Sequence, residues 1–274
     1  MSLAVPRRRG WITSMGASLY ALVATWGDMA EFALRTLAWV VRRRPSRGML
    51  VPVLHQIGVR SVPVVAVTGL FIGMVLAVQS YGEFTRFPGM KSFMGVMING
   101  SVVRELGPVL AATMLAGRVG SAMAAQLGTM RVTEQIDALW CLGANPVHHL
   151  VVPRFLACVF LIPLLTILAD CTGVLGGAII SMHFFGLDSH QYWALSEQKV
   201  GTWDILCGLA KSMVFGGAIA IISCYRGFNS RPGADGVGRA ATGAFVASFM
   251  AILVLDFFLA MFFNTLFTQL WPTP

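Results

Sequence analysis

Five stretches of this chain are too long and too apolar for any solvent but a lipid bilayer: residues 61–80, 96–117, 155–182, 205–225 and 240–268. A membrane helix needs about 20 predominantly apolar residues to cross a hydrocarbon core of roughly 30 Å. Inside lipid every backbone polar group must be satisfied within its own segment, so runs of this length read as helices. A soluble core cannot absorb the imbalance behind them, 56% hydrophobic against 12% charged residues, where ordinary soluble domains carry about 25% charged. The sequence predicts an all-α membrane protein with five spans.

The formal charge of +8 is not spread over a surface or tied to a nucleic-acid motif, so no nucleic acid partner is expected. The basic residues cluster between spans. Arg7, Arg8, Arg9, Arg42, Arg43, Arg44, Arg47 and Arg60 precede the first, Arg131 and Arg154 flank the second loop, and Arg226, Arg231 and Arg239 fill the fourth. Residues 81–95 and 183–204 hold no basic excess. The positive-inside rule then places the N-terminus in the cytoplasm and, after five crossings, the C-terminus outside.

Residues 1–50 are basic and amphipathic, and residues 51–274 form one membrane domain. The opening arginines resemble a secretory signal, but Asp28, Glu31 and Arg35 interrupt the apolar run, so the segment is expected to be retained. Ile12, Met15, Leu19, Leu22, Val23, Trp26, Met29, Ala33, Leu37, Val40 and Val41 recur at helical spacing, opposite Ser14, Ser18, Thr25, Asp28 and Arg35. Such a helix lies in the membrane interface. A sixth, tilted span is the alternative, and it would put three charged side chains in lipid. The five cysteines, never spaced C-x-x-C, read as small apolar fillers.

From Phe93 to Gly128 the one proline is Pro108, and a continuous helix of that length runs roughly 50 Å, beyond the hydrocarbon core. Its cytoplasmic end should project. Ala112, Ala116, Gly120, Ala124 and Gly128 form a ladder of small residues that permits close helix packing. Residues 129–144 then read as a cytoplasmic amphipathic helix, with Ile136, Leu139, Trp140 and Leu142 near one face and Glu134 and Asp137 exposed. By pattern it suits either a partner protein or the lipid surface.

Ionisable groups inside spans cost at least about 2.5 kcal/mol each, which makes each a functional candidate. There are five: Arg104, Glu105, Asp170, Lys211 and Asp256. On the orientation set by the positive-inside rule, Arg104, Glu105 and Lys211 lie in the outer half of the membrane and Asp256 near its middle or slightly outward. The four are expected to meet at a common depth and line a polar substrate cavity, or else to fix helix packing as ion pairs. Asp170 is left without a partner. No phosphate loop, nucleophile elbow, H-E-x-x-H motif or metal-spaced cluster occurs. No catalytic residue, metal or cofactor is assigned to the chain, and any energy source must lie elsewhere.

Residues 103–146 resemble the MlaE/YrbE family of ABC-transporter permeases. The match lies in R-E-L-G-P at Arg104 to Pro108, A-G-R-x-G-S at Ala116 to Ser121 and T-E-Q at Thr133 to Gln135. It continues through Pro153-Arg154-Phe155, Lys211-Ser212, the run from Gly236 to Thr242 and Leu255-Asp256-Phe257. The resemblance implies a multi-pass permease of the bacterial inner membrane, working as a homodimer with a cytoplasmic ABC ATPase that supplies ATP and Mg. It also implies a periplasmic MCE-domain protein, a small STAS-domain protein on the ATPase, and phospholipid as cargo, maintaining outer-membrane lipid asymmetry. Thr133, Glu134, Gln135, Asp137 and Leu139 would couple the chain to the ATPase. Arg104, Glu105, Lys211 and Asp256 would surround the lipid. Asp170 departs from the family pattern. The rivals are a membrane-embedded lipid-modifying enzyme, a structural anchor of an MCE assembly, and a permease for sterol or another lipid.

Overall fold

The computed structural model describes residues 11–42, 47–86 and 93–270, and the arginines expected to matter at positions 7–9, 43 and 44 fall outside them. Every regular element among the described residues is helical: α1 (Trp11–Arg42), α2 (Gly48–Phe84), α3 (Met94–Val132), α4 (Gln135–Cys141), α5 (Val147–Phe184), α6 (Ser189–Lys199), α7 (Thr202–Phe228) and α8 (Ala234–Leu270). Five of them, α2, α3, α5, α7 and α8, are long and apolar enough to cross a membrane. The expected spans are all present, each extended beyond its apolar stretch.

Lipid solvates apolar side chains as well as a protein core does, so these helices associate through van der Waals packing where backbones approach closely. The tightest approach is between α2 and α5, each carrying a G-x-x-x-G pair. A Cβ on Gly69 would lie 2.6 Å from the carbonyl oxygen of Ala169, and one on Gly73 would collide with the carbonyl of Gly173. The small-residue ladder of α3 works in the same way, but inside the chain. Ala112, Ala116, Gly120, Ala124 and Gly128 are all buried. Gly120 meets Ile219 and Ser223 of α7, and Gly227 of α7 rests on Ala124 and Leu127. Around these contacts the core is completed by Leu115, Ile162, Phe215, Ile219 and Ile252.

α1 docks through Phe32, Thr36 and Trp39, with Val40 of the expected apolar face packed on the core and Met29 and Ala33 half-buried. Thr36 is fully buried, Phe32 meets Tyr225 and Phe228, and Trp39 meets His148. Val23, Trp26, Leu37 and Val41, from the expected face, stay exposed beside Tyr20 and Leu34. The protein therefore takes one side of α1 and leaves a second apolar side open. His148 and His149 lie in the first turn of α5, where Asn145 Oδ1 accepts the amides of Val147 (3.0 Å) and His148 (3.4 Å).

Candidate functional site

Pro108 shapes the site. It has no N–H for the carbonyl of Arg104, and its ring crowds that carbonyl. The helix responds by widening into one π-turn at Val102–Leu106, in which the amide of Gly107 reaches back five residues to Val102. This turn exposes the carbonyl of Val103 toward α7, where only a glycine fits: a Cβ on Gly208 would lie 2.5 Å from that oxygen. Within the turn Arg104 and Glu105, as consecutive helical residues, face different neighbours.

Glu105 Oε2 lies 2.5 Å from Lys211 Nζ on α7, which in turn lies 3.0 Å from Asp256 Oδ1 on α8. The Lys211 side chain is only 1% exposed, whereas that of Glu105 is 41% exposed. One ammonium thus ties three helices together between two carboxylates. Arg104 turns the other way, with Nη1 3.6 Å from Asp204 Oδ1. Asp204 stands seven residues before Lys211, two turns along the same face of α7. Its second oxygen accepts the amide of Gly201 at 3.1 Å, so the carboxylate caps the helix and holds the arginine together.

Beside this cluster opens a cleft of about 670 Å³. Arg104, Glu105, Lys199 and Asp204 form its polar side, and Val96, Met97, Phe257 and Met261 are among its apolar walls. Of the four expected cavity residues, Arg104 and Glu105 line the cleft, Lys211 sits buried behind Glu105, and Asp256 faces Lys211. Lys199 and Asp204 escaped the sequence reading. Both belong to a segment that reads as a loop, yet Lys199 ends α6 and Asp204 stands in the first turn of α7, and α6 is fastened to α3 through Asn99. Tyr192 Oη donates to Asn99 Oδ1 at 3.1 Å, and Asn99 Nδ2 donates to Ser196 Oγ at 3.0 Å. Burial pushes the Tyr192 phenol up to about 12, so it remains a donor.

Asp170 stands apart from the cleft. It is buried in α5 against the backbone of Gly107, and its Oδ1 accepts no hydrogen bond. Among the described residues there is no cluster fit to hold a metal, and all five cysteines are free.

At the opposite end of α3 the chain reverses through Glu134, whose φ of 58° is left-handed, and enters α4. Arg131 Nη1 and Asp137 Oδ1, 2.6 Å apart, fasten α4 to the end of α3. Ile136 is buried and Leu139 packs with it against Leu127, Leu150 and Cys224. Trp140 and Leu142, expected on the same face, point outward and are 58% and 81% exposed. Thr133, Glu134, Gln135 and Asp137 are exposed beside them.

Residues 50–262 match the family model described as permease MlaE. A probable ABC transporter permease of Rickettsia bellii is 40% identical over 250 residues, covering 91% of this chain and 96% of the relative. The intermembrane phospholipid transport system permease protein MlaE of Haemophilus influenzae is 36% identical over 212 residues, covering 77% and 81% of the two chains. The chloroplastic protein TRIGALACTOSYLDIACYLGLYCEROL 1 of Arabidopsis thaliana is 38% identical over 210 residues, 77% of this chain and 60% of its own length. With five membrane-spanning helices and a family match over most of its length, the chain is a multi-pass ABC transporter permease that belongs to the MlaE family.

Proposed function

We propose that this chain is the permease subunit of an inner-membrane transporter that moves phospholipid between that membrane and a periplasmic MCE-domain protein, contributing to outer-membrane lipid asymmetry. The observation that carries this reading is the cleft, apolar along Val96, Met97, Phe257 and Met261 and polar at Arg104 and Lys199. Acyl chains suit the first surface and a phosphate headgroup the second. Arg104, at 39% exposure, is the cation that meets the headgroup, because its pairing with Asp204 is long and partly solvated. Lys211 is already held by two carboxylates and acts behind the wall, fixing α3, α7 and α8 relative to one another.

Two copies of the chain would close the cleft from both sides. Energy enters through a cytoplasmic ATPase that binds ATP and Mg, with a STAS-domain protein attached to it. Trp140, Leu142 and Glu134 offer that ATPase an apolar contact edged by charge. A push on α4 passes into α3 through the Arg131–Asp137 pair, and α3 carries Arg104 and Glu105 at its other end. Collapse of the cleft would expel the lipid.

The test is the phospholipid that remains with the purified complex. Arg104→Ala should lower lipid occupancy while the ATPase subunit stays bound. Unchanged occupancy and transport in Arg104→Ala would remove the headgroup role, and turnover of lipid by this chain alone would favour an enzyme instead.

A further inference from the structure

A second cavity, of about 250 Å³, lies at the other end of the bundle between α2, α3 and α5. Three guanidinium groups line it, those of Arg60, Arg118 and Arg154, together with the amides of Gln56 and Gln126. No carboxylate does. Arg118 Nη1 donates to Ser61 Oγ at 2.5 Å, Arg154 Nη1 donates to the carbonyl of Leu150 at 2.7 Å, and both of these arginines are half-buried. Their acceptors are neutral. Among the described residues none of the three arginines makes an ion pair, whereas Arg104, Arg131 and Lys211 each do.

Holding three cations around one partly enclosed space without a counter-charge is unfavourable, both by mutual repulsion and by loss of hydration. The fold maintains the arrangement with specific contacts, most clearly where Ser61, at the turn that breaks α2, is buried against Arg118. Depth narrows the choice of anion. Arg118 follows Arg104 by fourteen residues on one helix, about 20 Å along its axis. On the orientation the positive-inside rule assigns, Arg104 lies in the outer half of a hydrocarbon core of about 30 Å, and Arg118 then reaches the inner headgroup level. Val53, Ile57, Val119, Ala122 and Met123 form the apolar part of the lining, which is what an acyl-linked anion requires and a free anion does not.

We propose that Arg60, Arg118 and Arg154 bind the phosphate of an anionic phospholipid in the inner leaflet, at a site separate from the cleft of Arg104. Guanidinium groups suit a phosphate diester because each offers paired donors to its oxygens, and the glutamines supply further donors to the headgroup. This assignment does not depend on transport through the outer cleft.

The test uses the full-length permease complex in nanodiscs containing phosphatidylglycerol with a photoreactive headgroup, followed by mapping of the labelled peptides. Label is expected on the peptides containing Gln56 or Gln126, distinct from any label near Arg104. Arg60→Gln is the first variant, since that side chain is exposed and makes no hydrogen bond or ion pair among the described residues. Loss of one charge-assisted contact should weaken labelling about tenfold, and Arg154→Gln should do the same. An excess of inorganic phosphate should leave the label in place. Undiminished labelling in both variants overturns the site. Displacement by phosphate as readily as by unlabelled phosphatidylglycerol overturns the lipid assignment in favour of a soluble anion. Loss of a bound protein subunit from the variants, with labelling intact, also overturns it and makes the arginines a protein contact.

Discussion

Replacing Lys211 by methionine keeps the length of the side chain and removes the one charge that Glu105 and Asp256 share. The ammonium is 1% exposed and lies 2.5 Å and 3.0 Å from the two carboxylates. Breaking a buried pair by removing one partner costs about 3–5 kcal/mol. Glu105 is 41% exposed, so water screens its side of the loss, and the lower end, about 3 kcal/mol, is expected. Asp256→Asn alone leaves Lys211 paired with Glu105 and should cost less. In the double variant Lys211→Met with Asp256→Asn, no uncompensated charge remains at position 256. The double variant should therefore be at least about 1 kcal/mol more stable than the sum of the single losses requires. Unfolding of the detergent-solubilised chain by a titrated ionic detergent, followed by helical circular dichroism, measures all three. Single losses that add within about 0.5 kcal/mol would refute the idea that Lys211 acts as one shared counter-ion.

Gly73→Ala should prevent stable accumulation of the protein, since the new methyl collides with Gly173 of α5, whereas Gly82→Ala meets nothing within 4 Å and should accumulate normally; a membrane-fraction blot compares them. Ile136→Asp buries a charge under α4 and should lower the thermal midpoint, while Trp140→Asp should leave the midpoint and weaken capture of the ATPase subunit in a pull-down. Tyr192→Phe tests the fastening of α6. The phenol is raised from its ordinary 10 to about 12 in the fold, so the folded state holds that proton more tightly. Its stabilising contribution is complete below pH 10 and is lost as the pH rises toward 12. Unfolding midpoints measured across that range should fall for the native chain and fall less for Tyr192→Phe.

The spans are legible in the sequence because bilayer thickness sets their length, and the charges at 104, 105, 211 and 256 stand out because each is costly in lipid. Pairing is a different matter. Composition and depth group those four, but which of them pair depends on how α3, α7 and α8 pack, which sends Glu105 to Lys211 and Arg104 to Asp204. Asp204 is read as a loop charge from sequence because its carboxylate sits in the first turn of α7, where a polar residue is ordinary. The seven-residue spacing to Lys211 is the signal that finds it. Likewise the G-x-x-x-G pairs at Gly69–Gly73 and Gly173–Gly177 are visible in the chain, yet the ladder in α3 is the longer pattern and draws attention first. In α4 the helical period alone groups Trp140 and Leu142 with Ile136. The helix ends at Cys141, which puts Leu142 past its last turn, and the core beneath has room only for Ile136 and Leu139. Which side of α1 meets protein depends on Tyr225, Phe228 and His148, residues more than a hundred positions away.

The most direct measurement is ATP-driven transfer of phospholipid in proteoliposomes holding the complete permease complex, read as labelled lipid appearing on a purified MCE-domain acceptor. Native protein should transfer lipid in an ATP-dependent way, and Arg104→Ala should transfer much less while its ATPase subunit remains bound. Equal transfer by Arg104→Ala, or transfer that proceeds without ATP, would contradict a permease whose Arg104 cleft carries the lipid.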